Sequence, residues 1–205
     1  MSAFLLSLIS GAVVAATPIT PQPWFEFTDY PMKAFERNAE GVTRFEMLIS
    51  PEGRVAGCTV ISSSGDEELD RASCFLSTKR AKFRPARNLD GQPVWGTFRT
   101  QALWALPEHH IVAPPAPDLE VSLNALPDGT KQPPAVKLAY AVDRQGKPDL
   151  ASCTMMPSSL QQPQLLVQLG CKQLLESTPQ TPVTDPSGQP VAAVKTGAVL
   201  FKTSG

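Results

Sequence analysis

The 205-residue sequence has no strong charge of either sign: 18 Lys and Arg stand against 19 Asp and Glu, a formal net charge of −1. Divided near residue 113, it carries 11 basic against 12 acidic residues before that point and 7 against 7 after it. A nucleic-acid binder shows a basic stripe, and this chain has none, so no nucleic-acid partner is expected. Histidine is almost missing, since His109 and His110 are adjacent and stand alone. There is no C-x-x-C pair either, which leaves zinc and redox chemistry without their usual spacing. Gly-x-Ser-x-Gly, His-Glu-x-x-His and phosphate-loop patterns are also absent. Ser62, Ser63 and Ser64 read as a turn before a helix, because a nucleophilic serine needs a positioned base. No catalytic residue, cofactor, metal or small-molecule substrate is therefore expected. Long hydrophobic runs are missing too. The apolar stretch Ala3 to Ala16 is shorter than the roughly 20 residues that span a bilayer. It lacks a preceding Lys or Arg but ends in Val14-Ala15-Ala16, an A-x-A-like cleavage site. We expect residues 1–16 to be a signal peptide, the alternatives being a truncated anchor or a buried strand.

Proline is plentiful, with 21 residues, and the four cysteines form an even set that suits an exported, oxidising setting. The cysteines also mark a repeat. Cys74 precedes Pro85 by 11 residues and Pro93 by 19, and Cys171 precedes Pro182 and Pro190 by the same distances. Both halves contain Gly-Gln-Pro-Val, at 91–94 and 188–191. We read two diverged copies of one unit: residues 17–112, a Pro-rich linker at 113–118, and residues 119–205.

Periodicity outlines the first unit. A short helix follows Pro31. Residues 42–49 put Phe45, Met47 and Ile49 on one face and Arg44 and Glu46 on the other, a half-buried strand. The turn at 50–53 leads into a second strand over 54–62. Asp66, Glu67, Glu68 and Asp70 suit a helix start and Lys79, Arg80 and Lys82 its end, before Pro85. A last strand runs through residues 94–104. Sequential elements usually pack together, so Cys58–Cys74 and Cys153–Cys171 are the natural disulfides. Zinc binding and free thiols are the alternatives, and at about 100° per residue Cys74 lies off the line of Leu69 and Leu76. Trp104 and Phe98 share a face suited to a core, and Trp95 lies on the opposite register. Lys195 takes the place of Phe98 in the second unit, which implies a changed register or a poorer core there.

The stretches "YPMKA" (30–34), "SPEGRV" (50–55), "VISSSGDEELDRA" (60–72), "KFRPA" (82–86) and "DGQPVWGTF" (90–98) occur in an order that resembles the C-terminal domain of TonB, the periplasmic energy transducer of Gram-negative bacteria. The second unit resembles it only through its parallel with the first. The resemblance implies a small α+β domain, a helix packed on a three-stranded antiparallel sheet, and with the repeat the expected fold is α+β with two such units in tandem. The resemblance also implies a non-catalytic, periplasmic protein that binds a protein or extended peptide, including a TonB-dependent outer-membrane receptor, by pairing it to an edge strand. We expect residues 94–104 to be that edge, with Trp95, Arg99 and Gln101 as the partner-binding residues. A full transducer also has a membrane anchor and a long spacer. An inner-membrane-anchored minimal transducer is the second reading, and a secreted interaction protein unrelated to transport is the third.

Overall fold

The structure, a computed structural model, describes residues 12–19, 24–112, 117–157 and 161–203. In the first half β1 (Thr17–Pro18) is followed by α1 (Met32–Glu36), β2 (Gly41–Ile49), β3 (Val55–Ser62) and α2 (Glu67–Arg80). Then come β4 (Phe83–Arg84), β5 (Ala86–Arg87) and the long β6 (Pro93–Trp104). The second half holds β7 (Leu119–Leu123), β8 (Ala135–Val142), β9 (Thr154–Met155) and α3 (Gln164–Ser177). It closes with β10 (Val183–Thr184), β11 (Pro190–Val191) and β12 (Ala193–Thr203).

Local chemistry sets these elements. Asp66 caps α2, its carboxylate accepting from the Glu68 and Leu69 amides, and so satisfies two N–H groups that the first turn leaves unpaired. Glu67, Glu68 and Asp70 lie at the positive end of the helix dipole and Lys79 and Arg80 at the negative end. In β2 the strict alternation buries Phe45, Met47 and Ile49 completely. These pack beneath α2 with Leu69, Phe83, Ala102 and Trp104. Trp104 takes its place by donating from Nε1 to Ser73 Oγ at 2.8 Å, which removes the cost of burying an indole N–H. The disulfides join Cys58 to Cys74 and Cys153 to Cys171. Cys74 thus turns toward β3, off the central buried line of Leu69, Ser73 and Ser77.

The fold is α+β, but the two expected three-stranded sheets are one. Eight strands form it, six of them in the order β3-β2-β6-β12-β8-β9, with β5 on β6 and β7 on β12. The halves meet where β6 and β12 pair in parallel through two residue pairs, Trp95 with Ala193 and Gly96 with Val194. Paired residues share a face, so this contact fixes the layers. Trp95 and Ala193 face the second core, under α3, and Val194 faces the first core, under α2. The two helices therefore cover opposite faces of one continuous sheet. Within each half the order is the same: the last strand, the first strand of the hairpin, then its second strand. Lys195 keeps the register of its half, pairing with Tyr140 as Phe98 pairs with Met47.

Residues 1–11 of the expected leader and 113–116 of the expected linker lie outside the described residues. Residues 12–16 continue into an extended segment against the 82–87 stretch, with Val13, Ala15 and Ala16 buried. Among the described residues no helix is long and apolar enough to cross a membrane.

Candidate functional site

A strand can accept another only where its main-chain groups are unpaired. On one side, β6 pairs with β2 in unbroken register from Gly96–Ile49 to Trp104–Gly41. On the other, β5 covers Pro93–Val94 and β12 covers Trp95–Gly96. From Thr97 to Trp104 that second side has no ladder partner among the described residues. The outer strands of the sheet are less suited to addition. β3 has register shifts against β2 at two points, the irregularity with which proteins blunt an edge, and β9 is two residues long. The expected edge over 94–104 is thus an inner strand at its start and open over 97–104.

Beside the far end of this open stretch lies a groove of about 320 Å³, lined by Phe25, Phe27, Tyr30, Gln101, Leu103 and Trp104 among others. Phe25 stacks on Trp104 at 5.4 Å between ring centroids, and Tyr30 meets the same indole edge-on at 5.3 Å. The Tyr30 hydroxyl donates to the Ala39 carbonyl, which anchors the ring. Burial pushes the Tyr30 hydroxyl above its ordinary pKa, with Glu40 and Asp66 adding to the shift, so it stays a proton donor. Phe27 and Leu103 remain 53% and 42% exposed. The groove therefore offers apolar wall at one end of a free main-chain edge. That is the pairing of features by which an extended segment gains both affinity and side-chain selection.

Of the three expected contact residues, Gln101 alone lines the groove. Trp95 is half-buried against the second core. Arg99 lies where β6 and β12 diverge, its Nε donating to Glu46 at 2.7 Å and its Nη1 to Asp118. Asp118 also accepts from the Ala198 amide, so this one carboxylate ties β6 to β12. Lys195 is half-buried in the same place, and partial burial pulls its ammonium below the usual lysine range despite the nearby Glu46. Sequence reasoning missed Phe25, Phe27, Tyr30 and Leu103. The available signal was "WFEFTDY" at 24–30, four aromatic residues in seven with no periodic strand or helix pattern to explain them. Among the described residues no three His, Cys, Asp or Glu form a metal-holding group.

Residues 28–105 match the family model for the Gram-negative bacterial TonB protein C-terminal, and this stretch is a TonB-C-like domain. Among solved structures the chain is similar to the solution NMR structure of the Pseudomonas aeruginosa TonB CTD. The identity is 21%, over 46% of this chain and 90% of that one, with a TM-score of 0.35. No curated protein matches the sequence.

Proposed function

We propose that the chain is an exported, non-catalytic TonB-like protein that binds an extended segment of a partner protein on β6, in the setting of outer-membrane receptor transport. The observation that carries the reading is the open, regular edge at 97–104 with an aromatic groove at its end. Main-chain hydrogen bonds along the edge supply affinity, and the groove takes one apolar side chain of the incoming strand. Gln101 stands at the junction of the two, and Trp95 and Arg99 hold the edge in place from behind. We read the second half as a diverged copy of the first. The equal spacing of its cysteine and prolines and its matching strand order support that reading.

The test is titration of the isotope-labelled chain with extended peptides derived from TonB-dependent outer-membrane receptors. Amide shifts are expected along 97–104 and at Phe25 and Phe27. Leu103→Ala removes apolar contact worth about 1–2 kcal/mol and should weaken binding about tenfold. Gln101→Ala should change it little. Saturable binding that leaves 97–104 unshifted would rule the edge out.

A further inference from the structure

We propose that the working chain keeps the extended segment from Val13 to Ile19, and that removal of a leader cuts the Ala12–Val13 bond rather than the bond after Ala16. The position of the cut rests on the export reading above; the need for the segment does not. Val13 is 3% exposed, Ala15 6% and Ala16 0%, whereas Ala12 and Val14 are exposed. Among the described residues burial begins at Val13, and the exposed Ala12 and Val14 alternate with the buried Val13 and Ala15. The main chain is engaged as well. The Val14 amide donates to the Arg87 carbonyl and the Arg87 amide to the Val14 carbonyl, both at 2.9 Å. Further along, the Ile19 amide donates to the Lys82 carbonyl at 2.7 Å.

Ala16 also sits under the root of β6. A methyl group placed on Gly96 would lie 3.3 Å from the Ala16 Cβ and 2.8 Å from the Ala86 Cβ. A cut after Ala16 removes three buried apolar residues and a reciprocal pair of main-chain hydrogen bonds, and it uncovers the strand that carries the open edge. The sequence offers an alternative four residues earlier. Ser10-Gly11-Ala12 places small residues at the two positions that a leader peptidase reads, as Val14-Ala15-Ala16 does less well with valine at the first. The step is a hydrolysis: water adds across the Ala12–Val13 amide, leaving a carboxylate on Ala12 and a free amine on Val13.

The experiment has two arms. The full chain is expressed in a Gram-negative host, recovered from the periplasm and read by intact mass and N-terminal sequencing. The expected N-terminus is Val13. In parallel, chains made to begin at Val13 and at Thr17, each with intact disulfides, are compared by thermal unfolding. The Thr17 chain should melt at least about 5 °C lower. A natural N-terminus at Thr17, or equal melting of the two chains, overturns the proposal. A chain that stays unprocessed outside the periplasm overturns the export reading and the cut together, and the melting comparison still decides whether the segment is needed.

Discussion

Asp70 accepts hydrogen bonds from Thr43 Oγ1 at 2.8 Å, Ser63 Oγ at 2.5 Å, the Ser64 amide at 2.9 Å and Ser64 Oγ at 2.8 Å. One carboxylate thereby fastens β2, the turn after β3 and the first turn of α2. Burial alone would raise its pKa, but the hydrogen bonds from Ser63, Ser64 and Thr43 outweigh it and hold the group below its ordinary 3.8. The hydrogen bond from Arg80 lowers Asp29, and that from Arg37 lowers Asp66. A carboxyl depressed in the folded state stabilises fully above its unfolded pKa and loses that contribution as pH falls through the folded value. Urea midpoints should therefore be flat from about pH 5 to about pH 8 and fall steadily from pH 4 toward pH 2. Asp70→Ala should cost about 2–3 kcal/mol near neutral pH, since charge-assisted hydrogen bonds are lost and four donors need new partners. Its midpoint should also fall less steeply in acid than that of the parent chain.

At the scale of elements, the physical causes divide what the sequence made legible from what it did not. β2 could be read because period-two burial is written into Phe45, Met47 and Ile49, and α2 because its cap and dipole charges are local. The disulfides followed from elements adjacent in the chain. The union of the two sheets left no such trace. It depends on two residue pairs between strands almost a hundred positions apart, and Trp95 reads as an exposed aromatic until Ala193 is placed beside it. The groove was hidden for a similar reason. Its walls come from the 25–30 segment, whose regular structure is one 3-10 turn at Phe27–Asp29, and from the end of β6, so no periodic pattern links them. The bridge from β3 to α2 carries its own expectation. It closes a loop of 16 residues, and replacing Cys58 and Cys74 together by serine should cost about 2–5 kcal/mol. Chemical unfolding of the oxidised chain and the double variant measures the difference, and the loss should reside in the first half.

The whole molecule is two layered halves that share a sheet with their helices on opposite faces. Each core is largely made by its own half, yet each borrows from the other: Val194, Ala139 and Ala141 reach the first core, and Trp95 reaches the second. Asp118, held by Arg99 and by the Ala198 amide, braces the fork where β6 and β12 separate. The open edge at 97–104 exists because of that fork, since strands parallel along their full length would have closed it.

The uneven strength of these ladders matters under tension. Nine residue pairs join β6 to β2, but two join β6 to β12. A single molecule held at Val13 and Thr203 and stretched should fail at the two-rung joint, at low force, while both halves stay whole. The gain in length at that step is bounded by the chain from Ala105 to Pro117, at most roughly 45 Å for an extended backbone. Only at higher force should the halves themselves give way, and their bridges then limit how far each can extend. Optical-tweezer traces with one small early rip and later large ones would match this hierarchy, whereas a single large rip would mean that the joint is as strong as the halves it connects. Such a joint would let the protein lengthen under a load on a bound partner before the strand that carries the partner is lost.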